Sequence, residues 1–163
     1  MYLHKIDHIL RALPQLDNGY YLPFHSDHVE NFKGIIEYES QSITIEDRIR
    51  MLEYQSQLGP SVTAFVNNTP VAVFGAVFLW KGVAEAWSLL SEESRRYPIA
   101  MTKGANAFFD SCQILFNLHR IQITVKCNDQ RAVRWAKHLR FISEGTMIGY
   151  SADKDDTYMM RRT

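Results

Sequence analysis

The blocks VAEAWSLL at Val83–Leu90, SEESRRY at Ser91–Tyr97, PIAMTKGANAFFDSCQILFNL at Pro98–Leu118 and HRIQITVK at His119–Lys126 decide the fold. Lys81-Gly82 turns the chain into the first block, which reads as a strand. Pro98 suits the first position of a helix, where its missing N–H has no partner to lose. Behind it Met101, Ala105, Phe108, Cys112 and Leu115 recur four and three apart and make one buried stripe. His119–Lys126 reads as a strand again. Strand, loop, helix and strand in that order predict a βαβ unit, with Val83–Leu90 and His119–Lys126 parallel and joined by a right-handed crossover.

Upstream, Val62–Val66, the tight turn Asn67-Asn68-Thr69-Pro70 and Val71–Trp80 read as a hairpin, so three strands run as a meander into the βαβ unit. Before them the chain is mostly helical in period. Met1–Leu13 carries Leu3, Ile6, Ile9, Leu10 and Leu13 at helical spacing, Gly19–Phe24 is a short strand, and Asp27–Ile36 and Ile45–Leu58 read as helices stopped by Gly59-Pro60. Downstream, Asp129–Leu139 reads as a helix, and Phe141–Tyr150 with Thr157–Arg161 as a hairpin across Ser151–Asp156. The expected class is α/β (α+β), a mixed and mostly antiparallel sheet of about six or seven strands flanked by helices. No repeat, linker or low-complexity segment interrupts it.

Length and charge bound the function. The chain has 163 residues, with 18 Lys plus Arg against 18 Asp plus Glu and 46% hydrophobic residues, which predicts one domain. Zero net charge without a basic block leaves no electrostatic footprint for nucleic acid or a membrane surface. Cys112 and Cys127 have no CxxC partner and read as reduced, buried thiols. Met1–Leu13 has no continuous apolar stretch, so a cytoplasmic location is expected. His4 with His8 and His25 with His28 lack accompanying ligands, so no metal site is expected.

The run Asn128-Asp129-Gln130-Arg131-Ala132-Val133-Arg134-Trp135-Ala136-Lys137-His138-Leu139-Arg140-Phe141-Ile142-Ser143-Glu144-Gly145 follows that meander and βαβ unit. Together they resemble the GNAT N-acetyltransferase superfamily, nearest to the branch that acetylates protein N-termini, over roughly residues 60–162. The resemblance implies a splayed parallel pair with acetyl-CoA as co-substrate in the gap, residues 1–59 forming a variable helical part and 60–163 the cofactor-binding core. It places the pantetheine along Val83–Leu90, with Leu89, Leu90 and Ser91 near the acetyl group. Its phosphate loop falls on Arg95, Arg96, Tyr97, Pro98, Ile99 and Ala100. A helix N-terminus offers free N–H groups to a diphosphate, and the two arginines add fork-shaped cations. Asn128 takes the family's asparagine position after a one-residue slip, strict spacing giving Asp129.

Three departures stand out. Pro98 stands where the phosphate loop has glycine, a later register using Gly104 instead. Arg140 replaces the glycine of an L-G-F turn that tolerates positive φ. Ala136 occupies the place of the tyrosine that many members use as general acid. Amine acetylation needs a base and oxyanion donors. By analogy Glu85 is the base and Ser91 orients substrate or water, although alternation with Ala84 and Ala86 also fits Glu85 as a charge on a solvated sheet face.

The resemblance thus implies an acetyl-CoA-dependent N-acetyltransferase acting on a primary amine, such as that of a protein or peptide. Its alternative is a non-catalytic GNAT-like bacteriophage virion or interaction protein, since the eroded loop and the run Ala132-Val133-Arg134-Trp135 are similar to that type. Edge strands near either end offer two copies a way to pair as a homodimer, and the sequence leaves the oligomeric state open.

Overall fold

The computed structural model describes residues 5–34 and 44–162. In chain order they form α1 (Ile6–Ala12), β1 (Gly19–Pro23), a 3-10 turn (Ser26–Asn31), α2 (Ile45–Gln57), β2 (Ser61–Val66), β3 (Thr69–Trp80) and β4 (Val83–Leu90). A second 3-10 turn (Glu92–Arg96), α3 (Pro98–Leu115), β5 (Arg120–Lys126), α4 (Gln130–His138), β6 (Phe141–Met147) and β7 (Thr157–Arg162) follow. The helix expected over Asp27–Ile36 is the first 3-10 turn, and Ile35 and Ile36 lie outside the described residues, as do Leu3 and His4. No described helix is long and apolar enough to cross a membrane.

One seven-stranded sheet runs in the order β1-β2-β3-β4-β5-β7-β6. Every neighbouring pair is antiparallel except β4 with β5, which is parallel. The first 59 residues are therefore not only helical, because β1 extends the sheet against β2. The β2–β3 turn holds Asn67 and Asn68 both at positive φ, the hairpin geometry whose twist matches the flanking strands.

Alternation divides the sheet's side chains between two cores. On one face α1, α3 and α4 cover Val62, Phe74, Ala84, Ala86, Leu90, Ile121, Val125 and Met160, all buried. On the other, α2 and the first 3-10 turn cover a smaller cluster of Val29, Leu52, Val73 and Leu89, with Trp87 at its margin. Tyr54 points out of α2 at 64% exposure. Both cysteines are free. Cys112 is buried, which pushes its thiol pKa well above the usual range, whereas Cys127 is half-buried rather than buried as expected.

Candidate active site

Pairing between β4 and β5 begins with Val83 on Arg120, continues through Ala84 on Ile121 and stops at Glu85 on Gln122. Beyond that register Ala86–Leu90 and Ile123–Lys126 diverge. Between them lies a cavity of about 550 Å³, lined by Glu85, Ala86, Trp87, Ser88 and Leu90 from β4 and by Ile123, Thr124, Val125 and Lys126 from β5. Phe109, Trp135, Ala136 and Leu139 close it on the α3–α4 side. Gln55 of α2 and Tyr150–Ala152 of the β6–β7 loop reach it from the opposite face, so the gap passes through the sheet.

No protein-family model and no curated protein matches the sequence. Solved structures do match. An Ard1 protein from Thermoplasma volcanium superposes with a TM-score of 0.73 at 18% identity, covering 90% of this chain and 97% of that one. RimL, the ribosomal L7/L12 alpha-N-protein acetyltransferase in complex with coenzyme A, gives 0.68 at 16% identity, with 92% and 96% covered. A SpeG spermidine N-acetyltransferase chimera from Vibrio cholerae and hSSAT gives 0.70 at 15%, with 90% and 95% covered. The chain has the GNAT acetyltransferase fold. The GNAT-like architecture read from residues 60–162 is thus present, including the splayed parallel pair.

Within this GNAT fold the expected residues separate into groups. Glu85 is on the cavity wall, half-buried, and its Oε1 accepts a bond of 3.2 Å from Gln122 Nε2. It is not a charge on a solvated face. Leu90 also lines the cavity, but the Leu89 side chain alternates to the α2 cluster. Ser91 has 0% exposure and does not line the cavity. Its hydroxyl donates to Val71 O at 2.8 Å and accepts from Ser94 N at 3.2 Å, so it caps the second 3-10 turn and its proton is committed to the backbone.

The expected phosphate loop lies off the cavity. Arg95 pairs with Glu92 at 3.0 Å and Arg96 with Glu93 at 3.5 Å, each within the 3-10 turn, and Tyr97, Pro98, Ile99 and Ala100 are absent from the cavity wall. Pro98 is the first residue of α3, whose start has no side-chain cap and no acidic residue in its first turn. The α3 tip therefore keeps free N–H groups beyond Pro98. It is tied to the cavity rim by Trp135, whose Nε1 donates to Thr102 Oγ1 at 3.1 Å while Thr102 donates to Pro98 O at 2.8 Å. The Gly104 register fails for a packing reason: Gly104 sits inside α3 in contact with the buried Tyr21 hydroxyl, and a Cβ there would meet that oxygen.

One position near α4 is corrected and another stands as read. Asp129, not Asn128, lines the cavity, and its Oδ1 caps α4 by accepting from Ala132 N at 3.0 Å; Asn128 is exposed outside. Ala136 faces the cavity without a hydroxyl, and among the described residues Tyr150 is the phenol on the wall.

Gln122, Thr124, Lys126, Gln55 and Thr157 line or border the site and were not singled out from sequence. A signal for three of them was present in β5, where Arg120, Gln122, Thr124 and Lys126 alternate with Ile121, Ile123 and Val125 and so put a polar row on the α2 side. Lys126 binds Asp153 and Asp155, both at 3.5 Å, and thereby holds the β6–β7 loop that brings Tyr150 to the mouth. Thr157 Oγ1 is buried on the cavity wall without a partner among the described residues, a polar atom available to a ligand.

Proposed function

We propose that the protein is an acetyl-CoA-dependent N-acetyltransferase whose acceptor is a primary amine of a protein or peptide. The observation that carries this reading is the split between β4 and β5. Past Glu85 the inner edge of β4 has no strand partner, so its N–H and C=O groups are free for an extended chain bearing amides, which fits the pantetheine arm. The backbone of Ala86–Leu90 would hold that arm, and the free amides of Ile99 and Ala100 at the α3 tip, with Arg95 and Arg96 beside them, would face its phosphates. Acetyl-CoA supplies an activated acyl carbon with sulfur as leaving group: a C–N bond replaces the C–S bond, one proton from nitrogen ending on sulfur and one on a base.

Glu85 is that base. A carboxylate takes a proton from the attacking ammonium directly or through one water, and Glu85 stands on the face opposite α3 and α4, where Gln55 and the β6–β7 loop leave room for an acceptor. A homodimer, if formed, would use the open edges β1 or β6.

The test is a melting experiment with acetyl-CoA. At a hundredfold over its dissociation constant the ligand adds about 2.7 kcal/mol, which raises Tm by about 5–10 °C in a domain of this size. Turnover is then followed with peptides bearing free amino termini, and Glu85→Ala is expected to lose at least about a hundredfold in kcat. No shift at millimolar acetyl-CoA would refute the enzyme reading and leave the GNAT-like scaffold of the bacteriophage type.

A further inference from the structure

Glu85 does not stand alone on its strand. Glu144 on β6 receives Arg120 Nη2 at 2.6 Å and Nη1 at 3.2 Å, and also pairs with Arg161 Nε at 3.1 Å. Held in this fork, Arg120 turns its remaining Nε–H to Gln122 Oε1 at 2.9 Å. Arginine only donates, so the Gln122 oxygen must face it, and the amide nitrogen must face the other way. There it meets Glu85 Oε1 at 3.2 Å. An ionised carboxylate only accepts, so both ends of the glutamine are satisfied in this orientation and both are wrong in the flipped one. The parallel register that places Glu85 opposite Gln122 is the last pair before the split opens.

We propose that Gln122 is a positioning residue for the reaction: it transmits the fixed Arg161–Glu144–Arg120 ion network to Glu85, occupies Oε1, and leaves Oε2 as the atom that takes the proton of the acceptor amine. This rests on the N-acetyltransferase reading. At the far end of the network Glu144 takes both Arg120 Nη groups and the Arg161 Nε, a two-pronged geometry that fixes the Arg120 plane, and the mutual bond raises the Arg120 pKa and lowers that of Glu144. Glu85 Oε2 has no bond to any described residue. Without Gln122, the carboxylate rotates freely about its last torsion and the proton-accepting oxygen spends less time directed at the acceptor.

Two readouts test the proposal. In kinetics with free-amino-terminal peptides, Gln122→Leu should lower kcat by about tenfold while the acceptor KM and the acetyl-CoA melting shift stay unchanged. That loss should vanish in a Glu85→Ala background, because the two residues act as a unit. Arg120→Met should give a smaller loss of the same kind. An unchanged kcat in Gln122→Leu, or a loss that multiplies fully with that of Glu85→Ala, overturns the proposal. The second readout needs no acceptor: in 15N spectra the Gln122 side-chain amide should shift on Glu85→Ala and on Arg120→Met. An amide signal indifferent to both variants also overturns it. If acetyl-CoA fails to bind, the enzyme reading falls by itself, and the amide signal still decides whether Gln122 orients Glu85.

Discussion

Replacing Arg162 with methionine should be the most damaging single change in the sheet. Its side chain is completely enclosed, and every donor is used. Nε bonds Leu139 O at 3.0 Å; Nη1 bonds Asp110 Oδ1 at 2.9 Å and Gln113 Oε1 at 2.6 Å; Nη2 bonds Asn106 Oδ1 at 2.9 Å and Asn106 O at 3.4 Å. Burial lowers its pKa and Asp110 opposes that effect, but an arginine keeps its charge here. Methionine fills comparable space and removes the desolvated charge, yet it strands the Leu139, Gln113 and Asn106 oxygens. Leaving a buried acceptor without its donor costs about 1–3 kcal/mol, and three of them cost about 3 kcal/mol or more. At about 2–4 °C per kcal/mol the melting point falls by about 6 °C or more. Asp110→Asn should cost only about 1 kcal/mol, because Asp110 is half exposed and its replacement still accepts. Urea unfolding followed by circular dichroism measures both. A loss below about 1 kcal/mol in Arg162→Met, or equal losses in the two variants, would refute the claim that stranded acceptors set the cost. The consequence reaches the site, since these bonds fix the spacing of α3, the end of α4 and β7 around the cavity.

Three further outcomes follow from local geometry. His28 Nδ1 lies 2.8 Å from Thr63 Oγ1 and 3.2 Å from the His25 backbone N–H, which holds the ring against β2. Burial lowers the His28 pKa from 6.5, so the unfolded chain binds the proton first; stability should fall as pH drops below about 6.5, and unfolding at pH 7.5 and 5.5 should show no such contribution in His28→Gln. Arg140 sits at φ 68°, where a Cβ is strained, so Arg140→Gly should be more stable than Arg140→Ala by about 1 kcal/mol in the same assay, the reverse of their order in a helix. Ser91→Ala should lose about 1 kcal/mol of stability with kcat unchanged, and a tenfold drop in kcat would return Ser91 to the chemistry.

What was legible in the chain follows from how local each signal is. The bounds of β4 were read to the residue because a Lys-Gly turn before it and the polar stretch from Ser91 after it mark them. The end of α3 was placed at Leu118 instead of Leu115, because Asn117 adopts positive φ and ends the helix while Leu118 still packs into the core and keeps the apolar spacing going. Arg140 shows the complementary case: the residue departs from glycine, yet the backbone keeps the left-handed conformation, helped by the bond from Arg140 to Asp110. The capping role of Ser91 was not legible, because a capping hydroxyl and a catalytic one look alike until the 3-10 turn after it is known. Gln122 had no local mark beyond alternation, since its partner lies 37 residues away and meets it only through strand register.

The split itself has a mechanical cause. Each bank is fully paired on its outer side, β4 against β3 from Val83–Trp80 to Leu90–Ala72, and β5 against β7 from Ile121–Arg162 to Lys126–Thr157. Neither strand needs the other to complete those ladders. Phe109, Trp135, Leu139 and Phe141 occupy the α3–α4 side of the gap, and closing it would require moving β5, β7, β6 and α4 together against them. The inner edges therefore stay unpaired in the middle of a sheet, where backbone polar groups without partners are costly. Scattered side-chain contacts cannot relieve a whole edge. A ligand that repeats N–H and C=O groups along its length can, and this makes the strand edge, more than any one residue, the feature on which the proposed binding of an amide-bearing arm rests.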